Sequence, residues 1–397
     1  MYICILGRQP ALSIAELEAR FNAENVRPLP SAAALVETED TASFSQCGGT
    51  IKAAKVLNVL HETAWPQIIK QLEKALPDFL HHIPEGKLKF GLSTYGFDVR
   101  PTRINAAGLQ LKKTIKAAGR SIRVVPNQEA ELSSAQTLHN QLTGPLGMEL
   151  LLYKNGNETI LAQVVYGQDI DSYSLRDRER PKRDARIGML PPKLAQIIIN
   201  LASAHAPIAD EETEFLTSQT LLDPFCGTGV LLQEAVLMGF SAHGSDIDER
   251  MVRYSQANLN WLQEKMGARY PWQLEVGDAT THRWVQPINA VASETYLGTP
   301  LRELPPAAEL QPILDECNQL HRAFLENIGK QLHSGIRLCL AVPAWRTKTG
   351  FKHLPVIDDL DALGYNRVDF KHVRQQDLIY HRENQIVARE LLVLIRK

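Results

Sequence analysis

Hydrophobic and polar positions change period several times along the chain. YICILG, residues 2–7, is a β-rich apolar run. SIAELEARF then shows helical spacing from Ser13, with Glu16 three residues on, the pattern of a capping box. Apolar runs in AALVETE and AAKVLNVL complete a small α/β unit over residues 1–60. Further on, KLKFGLSTYG predicts a strand and GLQLKKTIKAAG a helix closed by Gly119. SIRVVP predicts a strand, SSAQTLHNQL a helix, and MELLLYKNGNETILAQVVYG a hairpin turning at Asn-Gly-Asn. This β-α-β-α-β-β order over 86–167 makes a compact module, and the expected second domain spans 61–167. Residues 168–189 carry little periodicity and read as a linker. Six Arg or Lys in 176–186 against five acids in 166–189 also fit a salt-bridged connector. From Leu190 to the end, helices and strands alternate, the signature of a doubly wound α/β fold around a parallel sheet.

Charge adds a location to this outline. The net charge is only −2, yet nine bases fall between Lys87 and Arg123 against one acid, Asp98. They are Lys87, Lys89, Arg100, Arg103, Lys112, Lys113, Lys116, Arg120 and Arg123. From Leu190 onward acids outnumber bases by 25 to 20. One basic field on a near-neutral chain is the footprint of a polyanion-binding face; a solvated helix face is the plainer reading. Five dispersed cysteines form no C-x-x-C pair, and His81-His82 is the only close histidine pair, so neither disulfides nor a metal site is expected. No run approaches the ~18 apolar residues of a membrane span. The expectation is a cytosolic protein.

The most specific chemistry lies in TLLDPFCGTGVLLQEAVLMG, residues 220–239. A short strand ends at Asp223, and Gly227 and Gly229 turn the chain into a helix whose free N–H groups face a ligand. The G-x-G-x-x-G spacing of dinucleotide folds is absent, because Leu232 holds the third position. Asp223 would also repel a pyrophosphate, whereas it suits a ligand with a cationic end, such as the ammonium of S-adenosylmethionine. A second strand ends at Asp246, placed to accept from ribose hydroxyls. Asp248 is expected to cap the next helix. WQLEVGDAT gives a third strand with Asp278 at its end, set to accept from the adenine amino group. Loop capping is the ordinary alternative for Asp246 and Asp278.

LLDPFCGTGVLLQEA, GSDIDERMV and GDA together resemble the class I methyltransferases, in particular their RNA guanine-N2 branch. MYICILGRQPALSIAELEA and RDRERPKRDARIGMLPPKLAQIIINLA are similar to segments of the THUMP-containing tRNA (guanine(10)-N2)-methyltransferase family. The resemblance implies a C-terminal Rossmann-like methyltransferase domain over 190–397. It also implies a ferredoxin-like start over 1–60 and a THUMP-like RNA-binding module over 61–167. Carried onto this sequence, the donor site comprises Asp223, Phe225, Cys226, Gly227, Gly229, Asp246, Ile247, Asp278 and Ala279. The implied cofactor is S-adenosylmethionine and the implied partner is tRNA, with no metal and no membrane.

The sequence departs from that family at INAVASETYLG, the expected fourth strand and its exit loop. There the family has Asp or Asn followed by Pro-Pro-Tyr, whose carboxyl or amide oxygen and proline carbonyl accept the amine hydrogens. Aligning the tyrosines puts Ser293 at the acceptor position; aligning Gly298 puts Glu294 there. The second register keeps a carboxylate, able to orient the amine and take its proton, but places Leu297 at the stacking position, so that Tyr296 stacks only in a reshaped loop. Glu294 paired with Arg302 in a weak or dead site is the competing reading. GIRLCLAVPAW is the expected fifth strand, with Pro343-Ala344-Trp345 at its exit, and Arg382 and Arg389 are expected on the surface. The leading function is methylation of a guanine N2 in tRNA. An inactive RNA-binding relative, or an amino-methyltransferase acting on DNA or protein, are the alternatives.

Overall fold

The computed structural model describes residues 1–80, 83–184, 190–204, 219–301, 303–383 and 385–397. His81, His82, Arg186 and Arg302 lie outside the described residues.

The N-terminal region contains β1 (Tyr2–Leu6), α1 (Pro10–Phe21), β2 (Val26–Leu29), β3 (Ala33–Val36), β4 (Thr50–Leu60) and α2 (Trp65–Leu80). It continues with β5 (Leu88–Tyr95), α3 (Pro101–Ala117), β6 (Ile122–Val124), α4 (Ser134–His139), β7 (Gly147–Asn155) and β8 (Glu158–Gly167). Its strands make one eight-stranded sheet in the order β2-β3-β1-β4-β8-β7-β5-β6. The segments 1–60 and 61–167 therefore share a sheet through the long β4–β8 ladder, Lys52 to Leu60 against Gly167 to Thr159. Chain compactness divides the molecule differently from the sequence outline: one unit holds Met1–Pro10, Glu24–Ser45 and Thr50–Ser172. The other takes Ala11–Ala23 and Gln46–Gly49 together with Tyr173–Lys397.

The β-α-β-α-β-β order is present, with β5 parallel to both β6 and β7 and the β7–β8 hairpin closing on Asn155↔Glu158. Leu60, Ile68, Leu72, Leu76, Phe90, Ile104 and Leu111 form one core, with α2 and α3 on the sheet. A buried polar knot joins the strands: Lys52 Nζ pairs with Glu149, which also accepts from Ser93 Oγ and Thr137 Oγ1, both at 2.6 Å. All four side chains are buried, so each polar group needs the partner it has.

Glu16 is not the partner of a capping box. α1 starts at Pro10, three residues before Ser13. The Glu16 carboxylate is buried and accepts from the amides of Gly48 (2.9 Å) and Gly49 (2.8 Å) and from Asn200 Nδ2 (2.8 Å). Burial outweighs these bonds and pushes its carboxyl up to about 7.

The second unit carries α5 (Ile170–Arg178) from Tyr173 on, then α6 (Pro192–Ser203), β9 (Thr220–Asp223), α7 (Val230–Leu237), β10 (Ser241–Asp246), α8 (Glu249–Met266) and β11 (Trp272–Val276). After these come β12 (Ala290–Glu294), α9 (Ala307–Gly329), β13 (Arg337–Thr347), β14 (Gly350–Lys352), β15 (Tyr365–Arg367), β16 (Ile379–Tyr380) and β17 (Val387–Arg396). The stretch read as a linker thus contains helix α5. Its Arg176 grips Glu234 of α7 with two bonds, 2.6 and 3.2 Å, both groups buried, which favours the salt-bridged alternative.

The main path of the second sheet runs β11-β10-β9-β12-β13-β17-β15; β11 through β13 are parallel and β17 is antiparallel to its neighbours. α6 is apolar nearly all round, as a buried helix must be, and packs with α1, α7 and α8 over one face. α9 covers the other. The strand order reverses between β9 and β12, which opens a crevice at the carboxyl ends of those strands.

Candidate active site

Four segments converge at that crevice. β9 delivers Asp223, the glycine turn follows it, β10 delivers Asp246, and β12 delivers Ser293 and Glu294.

Gly227 has φ +53° and Gly229 φ +78°, both in the left-handed region where a side chain is strained. A Cβ on Gly229 would meet Ser255 Oγ at 2.8 Å, whereas a Cβ on Gly227 would find open space. That open space leaves the backbone exposed for close approach by a ligand. The turn is held by Asp246, whose Oδ2 accepts from the Gly227 amide and whose Oδ1 accepts from the Asp248 amide, each at 2.9 Å. Asn258 ties the same turn to the preceding segment, donating to Thr228 O and Lys182 O and accepting from the Lys182 amide. Asp248 caps α8 as expected, accepting from the Arg250 amide.

Asp223 is 2% exposed. Its Oδ1 accepts from Ser293 Oγ at 2.6 Å and from the Phe225 amide at 3.2 Å. Burial pushes its carboxyl up to about 7, Ser293 and the amide pull the other way, and the charges of Asp246 and Glu294 add to the rise. Asp246 is also raised, chiefly by burial. A carboxylate poised in this way accepts a cationic ligand group readily, because the ligand supplies the counter-charge that the fold withholds.

Several expected residues have other work. Cys226 commits its amide to Ser245 O and its thiol to the core, while its carbonyl accepts from the Gly229 N–H. Ala279 is buried beneath α9, its carbonyl taken by Asn327 Nδ2. The Phe225 ring packs edge-on against Phe324 at 5.1 Å. Asp278 lies two residues past the end of β11 and is exposed, its Oδ1 held by Thr280. Ile247 stands beside Asp246 and is 71% exposed, an apolar surface with nothing over it.

Ser293 is fully buried on Asp223, which removes it as an acceptor for a substrate amine; it positions Asp223 instead. Glu294 ends β12 with its side chain 16% exposed, and its Oε1 accepts from Arg389 Nε. Arg389 is thus no surface charge: it sits on β17 with its side chain 6% exposed, its guanidinium 6.0 Å from the Tyr380 ring centre. Thr295 follows, its amide and hydroxyl both 3.1 Å from Ala341 O and its hydroxyl 2.7 Å from His321 Nε2. His321 Nδ1 lies 2.6 Å from Cys317 O, so that nitrogen carries the proton and Nε2 accepts from Thr295. Burial pushes His321 down to about 4, which keeps it neutral. Tyr296 is half-buried, with its hydroxyl 3.4 Å from Glu316 Oε1. Trp345 is fully buried under α9, and β13 runs on through it to Thr347, so it packs in the core and is not at the strand's exit. Thr295, His321 and Arg389 were not among the expected site residues. Each is remote in sequence from what it touches, and a lone histidine or arginine carries no motif.

The RMKL-like methyltransferase domain family matches residues 178–352, which span the glycine turn, all the strand-end acids and the Glu294 loop. This chain carries a methyltransferase domain. It is homologous to tRNA (guanine(10)-N2)-dimethyltransferases. That of Methanothermobacter thermautotrophicus is 30% identical over 39% of this chain and 39% of its own length. That of Pyrococcus abyssi is 27% identical over 63% of this chain and 70% of its own. The match thus spans well under half of the first relative and about two thirds of the second. TrmN from Thermus thermophilus has a similar fold over 100% of this chain and 99% of its own, with 14% identity and a TM-score of 0.50.

The methyltransferase domain fits S-adenosylmethionine as donor. Asp223 Oδ2 accepts no bond among the described residues, Gly227 leaves open space at its Cα, and Ile247 exposes an apolar face next to Asp246. Among the described residues no cluster of three His, Cys, Asp or Glu could hold a metal, and no helix is long and apolar enough to cross a membrane.

Away from the methyltransferase domain, the basic field maps to β5, α3 and β6 and the turns before each of them. Lys87, Arg100, Arg103, Lys113, Lys116 and Arg123 are exposed, and none pairs with a carboxylate among the described residues. Lys112 is half-buried, and Lys89 Nζ donates to Gln141 Oε1 at 2.6 Å. Arg120 is the exception: it donates to the carbonyls of Gly86 (3.0 Å), Ile83 (3.2 Å) and Pro84, so it braces a loop.

Proposed function

We propose that this protein is a cytoplasmic S-adenosylmethionine-dependent methyltransferase that modifies the exocyclic N2 of a guanine in tRNA. The observation that carries this reading is the carboxylate of Glu294, held at the end of β12 in the same crevice as Asp223 and the glycine turn. Its tRNA relatives and the six uncompensated bases of the N-terminal unit support RNA as the substrate.

When bound, the cofactor supplies an electrophilic sulfonium methyl. Asp223 would hold its ammonium, Asp246 its ribose hydroxyls, Ile247 the adenine face and Asp278 the adenine amine. Asp246 retains lone pairs beyond its two backbone bonds, since each carboxylate oxygen can accept twice. Glu294 accepts a hydrogen of the substrate amine and so turns the nitrogen lone pair, otherwise delocalised into the purine, out toward the methyl. Lys87, Arg100, Arg103, Lys113, Lys116 and Arg123 grip RNA phosphates, which carry affinity without sequence.

Labelled donor offered to unmodified tRNA, duplex DNA and a mixed protein substrate distinguishes the acceptor classes. Label entering tRNA alone is expected; label entering DNA or protein in its place would refute the RNA assignment.

A further inference from the structure

We propose that Arg389 is a positioning residue for methyl transfer, fixing the Glu294 carboxylate as the hydrogen-bond acceptor for the incoming amine. The inference rests on the methyltransferase reading above.

An acceptor that steers a lone pair must itself be immobile, and the local sequence gives Glu294 little help. Glutamate has three rotatable bonds, and the loop after it, Thr295-Tyr296-Leu297-Gly298, has no proline to fix φ. Two long-range devices supply the missing stiffness. Thr295 is fastened by its amide to Ala341 O and by its hydroxyl to His321, which pins the backbone one residue beyond Glu294. Arg389 then fixes the side chain: its Nε donates to Oε1, and Oε2 is left for the substrate.

Arg389 is well placed for this work. Its backbone lies inside the sheet, opposite Pro343 of β13 on one side and Tyr380 of β16 on the other. With 6% exposure its guanidinium has lost most of its water, so the bond to Glu294 is a strongly held contact and not a surface pair. A planar guanidinium holds its Nε–H in a fixed direction, which a freely rotating lysine ammonium does not.

In the transfer itself the amine nitrogen bonds to the methyl carbon while the carbon–sulfur bond breaks and sulfur keeps its electron pair. The surplus proton on nitrogen then departs to water. Arg389 touches none of the reacting atoms; it acts through Glu294.

The test is a double-mutant cycle on the full chain, with kcat, KM for tRNA and the dissociation constant of S-adenosylhomocysteine measured for each protein. Arg389→Ala is expected to lower kcat about 100-fold, the scale of misplacing a reacting group by about an ångström. KM for tRNA and affinity for S-adenosylhomocysteine should stay within about twofold. Arg389→Lys should recover part of kcat, since it restores the charge but not the rigid planar group that aims Nε at Oε1. In a Glu294→Ala background, adding Arg389→Ala should cost less than about threefold, because the two residues act as one unit. Should Arg389→Ala fail to fold, the Lys variant and the double variant, which leaves no unpaired buried charge, still report the coupling.

Wild-type kcat in Arg389→Ala would overturn the proposal. So would a full loss added on top of Glu294→Ala. A wild-type protein that binds S-adenosylhomocysteine but methylates no tRNA would instead refute the functional reading beneath it.

Discussion

Ser293→Ala isolates the link between Asp223 and the donor. The substitution removes one O–H···O bond of 2.6 Å, made to a carboxylate that is 2% exposed. A hydrogen bond to a charged acceptor contributes about 1.5–3 kcal/mol. At 1.36 kcal/mol per pKa unit, its loss raises the Asp223 carboxyl by roughly one to two units above its present value of about 7. The ionised fraction at pH 7 then drops from about a half to roughly 1–10%, since the fraction follows directly from pH minus pKa. If the donor ammonium binds only ionised Asp223, affinity at pH 7 falls roughly 5- to 50-fold. The sign of the pH dependence follows. In the wild type, affinity should rise as pH climbs through about 7, with about half a proton released on binding at that pH. In Ser293→Ala the rise should move upward by the same one to two units. The free protein shows the converse: a raised carboxyl pKa stabilises the fold below the ordinary value of 3.8, and that contribution is lost as pH approaches 7. Calorimetric titration with S-adenosylhomocysteine, which keeps the ammonium, from pH 6 to 9 in buffers of differing ionisation enthalpy measures both quantities. Equal affinity in the two proteins at pH 7, with no proton released by either, would refute the reasoning.

Two further outcomes test other parts of the molecule. Changing Arg103, Lys113 and Lys116 together to Ala should weaken tRNA binding and flatten the dependence of log affinity on log salt by about one for each phosphate no longer neutralised. Donor affinity should hold; an unaltered salt slope would make α3 an ordinary solvated helix. Arg176→Ala leaves Glu234 buried with Gln196 as its side-chain hydrogen-bond donor and the Arg180 charge nearby, at a cost of about 3–5 kcal/mol. Thermal unfolding of the C-terminal unit should come roughly 6–20 °C lower, and a shift of under about 2 °C would mean that Glu234 finds another partner or a proton.

What the sequence disclosed was local. Asp223, Gly227, Gly229, Asp246 and the Asp248 cap follow from short stretches in which strand, turn and helix N-terminus are contiguous, and the chain obeys them. The hairpin at Asn155–Glu158 was legible for the same reason. Contacts between distant segments were not. Glu294 and Arg389 are 95 residues apart, so nothing near either announces the pair, and Arg302 looked the nearer partner. Glu16 imitates a capping box because Ser13 precedes it by three, yet its carboxylate turns to amides 32 and 33 residues away. The eight-stranded sheet was hidden likewise, since β4 and β8 meet across about a hundred residues. Cys226 and Ala279 stand in the donor motifs, but backbone direction turns both toward the core. Helix α2 has helical apolar spacing at Trp65, Ile68, Ile69, Leu72 and Leu76, and Pro77 in its last turns obscures it.

The most direct measurement of the central claim is the chemical identity of the product. Unmodified tRNA incubated with protein and S-adenosylmethionine, digested to nucleosides and analysed by mass, should yield N2-methylated guanosine, and Glu294→Ala should slow its formation about 100-fold or more. Methyl found on another base or another guanine atom, or full N2 methylation by Glu294→Ala, would contradict the account.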